Sequence, residues 1–184
     1  MKELSENAKK LLIENLEKIT FAEKQAKDKN ASLKKIVEYF IIKDNIARLK
    51  FDGKLSENTS VNAIIINFSE TEKILGFKIH PELKELLSLD FFIEAYLKNE
   101  YIHFQLSGGD TDIINSFNKY NSYFNHGHFC TIGYSVECYI EFDNDTGKIY
   151  FLDCEESEYF KIADSVRELL FKAESIWSED LYEK

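Results

Sequence analysis

Four groups of residues have types and spacings that can do chemistry. His126, His128 and Cys130 alternate along a segment expected to be extended. Side chains repeat with period two on a strand, so the three donors would share one face. Structural zinc takes four ligands, and no fourth lies nearby, so a loop leading into a strand with a buried thiol is the simpler reading. Ser107-Gly108-Gly109-Asp110 offers backbone N–H groups ahead of a predicted helix. It lacks the lysine and spacing of a phosphate-binding loop, so a turn with Asp110 or Thr111 as helix cap is expected. Asp143 with Asp145, or Asp153 with Glu155 and Glu156, could be paired carboxylates of the kind used in acid–base or metal chemistry. No histidine or lysine accompanies them closely in a catalytic pattern, and no nucleophile motif is present, so the sequence does not support an enzyme, a metal centre or a cofactor. The carboxylates make better sense as a binding surface. Tyr139, Tyr150, Phe151, Tyr159 and Phe160 run among them, and aromatic anchors inside a charged rim suit a protein interface. Strand alternation assigns about half of these rings to the core.

The elements that would position these residues are legible around residues 139–170. Tyr139, Ile140 and Phe142 end an apolar run, and Asn144-Asp145-Thr146-Gly147 is a turn sequence. Lys148 to Leu152 returns as a strand, giving a β-hairpin. After the acidic segment, Ser165 and Glu168 have capping-box spacing, and Val166, Leu169, Leu170 and Ala173 continue with helical period. Upstream, Ser69 and Glu72 suggest a second capping box, Gly76 a helix C-terminus, and Pro81 the first turn of another helix. Residues 91–97 and 101–106 read as two strands, 111–124 as a helix, and 129–132 and 135–142 as further strands. The run from Val61 to Phe68 fits either a strand or a buried connector.

Residues 1–60 predict two amphipathic helices, with Leu4, Ala8, Leu11, Leu12, Leu16 and Ile19 on one stripe of the first. Leu33, Ile36, Val37, Phe40 and Ile41 form the apolar face of the second. Packing on the main domain is the simpler role for such stripes. The polar stretch 52–60 is the expected joint, which divides the chain into a helical extension, 1–60, and an α+β domain, 61–184. Its expected architecture is an antiparallel or mixed sheet flanked by helices.

The order of motifs resembles the SUKH superfamily, also called the SMI1/KNR4-like family. Glu72-Lys73-Ile74-Leu75-Gly76 through Pro81-Glu82-Leu83-Lys84 to Leu86-Leu87 is similar to that family's opening helix pair. Ile132-Gly133, the turn from Asp143 through Gly147 to Ile149, the acidic segment 153–158 and Ile162-Ala163-Asp164-Ser165 are similar to its C-terminal half. The matches cover roughly Ser69 to Trp177, and residues 1–60 have no counterpart. The resemblance implies an α+β fold and a bacterial immunity protein that neutralises a cognate toxin by stoichiometric binding. Many such toxins act on nucleic acid through basic clefts, so a basic nuclease domain is the expected partner. A second branch of the family implies a scaffold or regulatory protein-binding module, for which residues 1–60 would matter more.

Charge supports a protein partner over nucleic acid. The chain has 184 residues and a formal net charge of −10. Residues 1–60 carry 13 basic and 10 acidic side chains, and residues 61–184 carry 10 and 23. Phosphate binding needs a basic footprint. An acidic field favours solubility and a basic partner. The partner-binding residues expected are Asp143, Asp145, Asp153, Glu155, Glu156 and Glu158. Cys130, Cys138 and Cys154 are odd in number and lack metal-site spacing, as suits reduced thiols in the cytoplasm. No apolar run is long enough for a membrane span or a secretory leader.

Overall fold

Helix ends are set by local chemistry. In α1 (Glu6–Ala26) the Ser5 side chain accepts from the Ala8 N–H at 3.2 Å. Helix α2 (Leu33–Asp52) stops at Gly53, and α3 (Phe68–Leu75) at Gly76; both glycines adopt a left-handed conformation, φ 76° and 80°. Pro81 opens α4 (Pro81–Leu87), and the preceding His80 caps it, Nδ1 accepting from the Glu82 N–H. Nδ1 is therefore the unprotonated nitrogen. In α6 (Val166–Lys172) Ser165 Oγ accepts from the Glu168 N–H, and Glu168 reaches back to the Asp164 N–H at 2.7 Å.

The computed structural model describes residues 4–55, 61–109, 112–118, 127–135, 138–153 and 158–177. Its strands are β1 (Asn62–Ala63), β2 (Leu89–Asp90), β3 (Phe92–Leu97), β4 (Ile102–Ser107), β5 (Phe129–Ser135), β6 (Cys138–Asp143), β7 (Ile149–Asp153), β8 (Glu158–Ala163) and β9 (Glu174–Ser175). Helix α5 (Ile113–Asn118) lies between β4 and β5. Strands β1 and β2 pair apart from the rest. The others form one antiparallel sheet in the order β8-β7-β6-β5-β4-β3-β9. The architecture is α+β. Among the described residues, no helix is long and apolar enough to cross a membrane.

One face of the sheet carries the core. Ile93, Ala95, Phe104, Leu106, Cys130, Ile140, Phe142, Ile149 and Phe151 join side chains of α2, α4, α5 and α6 in one buried cluster. Helix α2 is integral to this layer through Leu33, Ile36, Val37, Phe40 and Ile41. Helix α1 packs on α2 and buries only Ala8 and Ala26 fully.

The structure departs from the sequence expectations at several points. Asn67 occupies the cap position of α3, so Ser69 and Glu72 form no capping box. Glu72 instead accepts from the Ile79 N–H and pairs with Lys78 and Lys84. Residues 158–163 form a strand that the acidic composition hid, and Ile162-Ala163 ends it instead of entering the helix. Only Asn62 and Ala63 of the apolar run 61–68 pair as a strand, and Ile65 is fully exposed. Helix α5 is described over Ile113–Asn118; the expected continuation to 124 lies outside the described residues.

Candidate protein-binding face

The sheet's second face is built by alternation. Register places Glu94 beside Gln105, Gln105 beside Tyr134, Tyr134 beside Tyr139, Tyr139 beside Leu152, and Leu152 beside Tyr159. One row of side chains thus crosses six strands. A parallel row runs Thr131, Glu141, Tyr150, Lys161, and Phe129 faces Asp143 beyond it. The strand neighbours of these residues point into the core, so the rows point away from it. The row depends on two irregularities. Ile132 is an extra residue in β5, which lets both Thr131 and Tyr134 face outward, and Ile162 is an extra residue in β8, which turns Ala163 toward Ile149 after Lys161 has faced outward.

Rings dominate this face. Tyr134 and Tyr139 meet edge-on with centroids 5.6 Å apart, Phe129 and Tyr150 at 5.7 Å, and Tyr150 and Tyr159 at 5.8 Å. Phe129 and Leu152 are buried beside partly buried Tyr139 and Tyr150 in a small cluster that, among the described residues, contains strand side chains alone. Tyr134 and Tyr159 remain 45% and 51% exposed. Tyrosines held in this way bring apolar area and a hydroxyl to an interface, with few torsions left to freeze.

Polar groups are set among the rings. Thr131 Oγ1 donates to Glu141 Oε1 at 2.7 Å, which holds a buried carboxylate in the middle of the face. Burial, and then the charge of Asp143, push the Tyr150 phenol above its ordinary pKa, so it stays protonated as a hydrogen-bond donor. Glu94 accepts from Gln105 Nε2 at 3.1 Å and lies 3.6 Å from His103 Nε2. Lys161 is held by Asp164 at 2.6 Å, which raises its pKa.

Of the carboxylates expected to bind a partner, the four described ones, Asp143, Asp145, Asp153 and Glu158, lie at two ends of β7. Asp143 and Asp145 lie in the β6–β7 turn, while Asp153 and Glu158 are cross-strand partners at the other end of β7. Five strand residues separate the two ends by about 13 Å. Asp143 is buried, and its oxygens accept from the Asp145 and Thr146 N–H groups and the Thr146 hydroxyl, so it shapes the turn. Asp145 bonds His128 Nδ1 at 3.0 Å, and that ring stacks on Phe77 at 3.9 Å. Glu155 and Glu156 lie outside the described residues. Of the five rings singled out in the sequence, Tyr139, Tyr150 and Tyr159 face outward. Phe151 joins the core, and Phe160 stacks on it at 5.3 Å.

The other chemical motifs resolve into structural roles. Cys130 is buried in the core and its Sγ donates to the Thr131 carbonyl; His126 lies outside the described residues. Among the described residues no cluster of three histidine, cysteine or acidic side chains can hold a metal ion. The Gly108 and Gly109 N–H groups donate to the Phe91 and Leu87 carbonyls, so neither is free for an anion. A Cβ on Gly108 would sit 2.2 Å from the Leu89 carbonyl oxygen, which explains the glycine. Tyr134 and Gln105, central to the outward row, had no signal in the sequence beyond alternation, because cross-strand neighbours are distant in the chain.

The chain matches no family model, and no curated protein matches it.

Proposed function

We propose that this chain is a SUKH-like immunity protein that binds a cognate toxin domain through the outward face of its sheet and blocks it stoichiometrically, without turnover. The observation that carries the reading is the row Tyr134, Tyr139, Leu152, Tyr159, lying on a sheet face whose small apolar cluster, among the described residues, consists of strand side chains. Four strands present it on rigid backbone, so little ordering is required on binding. The motif order from Ser69 to Trp177 supports the family assignment. The acidic excess of residues 61–184 supports a basic partner, such as a nuclease cleft, where carboxylates would stand in for phosphate. Asp145, Asp153 and Glu158 then act at the rim, steering encounter, while the tyrosines carry affinity.

Co-expression with the protein encoded immediately upstream tests this. The expected result is that the neighbour alone arrests growth, and that this chain restores growth and co-purifies with it. A harmless neighbour that does not co-purify would remove the basis for the immunity role.

A further inference from the structure

The strands of the sheet are short of cations. Strands β3, β4, β5, β6, β7 and β9 contain no lysine or arginine. Lys161 in β8 is the one such residue in these strands, and Asp164 already holds it at 2.6 Å. Carboxylates do stand on the outward face. Glu94 heads the tyrosine row, opposite Gln105. Glu174 heads the row beside it, opposite Tyr96, whose other neighbour is His103. A group docking at this end of the sheet meets two carboxylates and no lysine or arginine on the strands beneath it.

Beside these carboxylates is a cleft of about 230 Å³, lined by His103, Phe104, Gln105, Tyr134 and Ser135. Small-molecule pockets begin at roughly 300 Å³, so this one has room for a single side chain. Ser135 Oγ donates to the His103 carbonyl at 2.5 Å, which fixes β5 against β4 there. The Tyr134 ring, 45% exposed, is one wall, and Tyr139 holds it edge-on. Glu94 and Tyr134 stand two strands apart, about 10 Å between backbones, with Gln105 between them. Gln105 Nε2 donates to Glu94 Oε1, and a neutral amide does not cancel the carboxylate's charge. His103 Nε2, 3.6 Å from the same oxygen, is beyond hydrogen-bond range. Both contacts fall on Oε1, so Oε2 remains to accept from a ligand.

A ring face beside such a carboxylate selects a cation. Arginine suits it better than lysine. A planar guanidinium stacks on a ring while its edge donates to a carboxylate, whereas an ammonium is a point charge on a flexible stem. We propose that this cleft takes one arginine side chain of the protein partner, stacked on Tyr134 and bonded through its guanidinium to Glu94 Oε2. The inference rests on the outward face being the binding surface, and it names the residue type that the face selects.

Titration of the full chain with N-acetyl-argininamide, followed by amide NMR, tests the cleft without any partner. The expected result is saturable shifts centred on Gln105, Tyr134 and Ser135, with a Kd of roughly millimolar for so small a ligand. N-acetyl-citrullinamide, the uncharged isostere, should cause none, and N-acetyl-lysinamide should bind more weakly. Glu94→Gln and Tyr134→Ala should each weaken the arginine probe roughly threefold to fivefold, with peaks remote from the cleft unmoved. An arginine probe that shifts none of these peaks overturns the proposal. So does a citrulline or lysine probe that binds as well as the arginine one, or a Glu94→Gln chain that binds as tightly as the wild type. Co-expression decides the immunity role separately. A probe that binds beside a harmless neighbour keeps the cleft and removes the toxin; a neighbour that co-purifies with a chain blind to the probe does the reverse.

Discussion

The side chain of Asn144 is bonded to the backbone on both sides of Ile79: Oδ1 accepts from the His80 N–H at 2.7 Å, and Nδ2 donates to the Lys78 carbonyl at 2.9 Å. Asn144 thereby ties the β6–β7 turn to the start of α4, more than sixty residues away in sequence. Its own N–H donates to the His128 carbonyl. The amide is buried, so truncation strands polar partners.

Asn144→Ala should cost about 1–3 kcal/mol. In urea denaturation the midpoint should fall with the slope unchanged. Asn144→Asp keeps the acceptor toward His80 but sets a carboxylate against the Lys78 carbonyl, so it should fall between the wild type and the alanine variant only if protonated at low pH.

Gly133 lets two strands approach. A Cβ there would lie 2.3 Å from the Gln105 carbonyl oxygen, which belongs to the backbone and cannot swing away. Gly133→Ala should destabilise the fold by roughly 2–3 kcal/mol, read from thermal or urea unfolding. Tyr134 follows Gly133 directly, so the same substitution should also disturb the outward row.

Glu72 couples stability to pH. Hydrogen bonds from Lys78 first, then Lys84, then the Ile79 N–H, hold its pKa at about 2, below the ordinary carboxylate value. A depressed acid contributes stability that is full above its unfolded pKa and is lost as pH falls through the folded one. Glu72→Gln should therefore lower the urea midpoint at neutral pH. The gap between variant and wild type should narrow below pH 5 and close near pH 2. A gap that is constant across that range would exclude the linkage.

Tyr134→Ala and Tyr159→Ala test the binding face. Both rings are half exposed, so unfolding should change little. On the proposed reading, each should weaken binding of the proposed partner by about 2 kcal/mol, or roughly thirtyfold in Kd. Calorimetric titration against the co-purified partner measures this. Unchanged affinity in both would exclude the tyrosine row as the contact surface.

Asp153→Asn with Glu158→Gln removes two charges from one end of β7. The expected result in stopped-flow association is a slower on-rate with weaker salt dependence and a nearly unchanged off-rate. A selective loss in off-rate would place these carboxylates inside the contact.

The sequence by itself determined what short-range chemistry determines. The hairpin around Asn144 to Gly147, the caps at Ser165 and Gly76, Pro81 in a first helical turn, and the alternation expected in residues 91–97 and 101–106 depend on neighbours a few positions apart; all are present in the structure, the two strands running Phe92–Leu97 and Ile102–Ser107. The acidic and aromatic content of residues 139–160 pointed to a surface but not to its shape. Tertiary structure decided that. The extension of β7 set Asp145, in the turn before it, and Asp153, at its last residue, at opposite ends of the strand. The extra residues Ile132 and Ile162 fixed which way Tyr134 and Ala163 point. Strand β8 was hidden because it begins inside the acidic segment, and its pairing with β7 is what makes it a strand. Likewise Asn144 found His80, and Glu72 found Lys84, only once the chain had folded, since contacts of that range leave no period in a sequence.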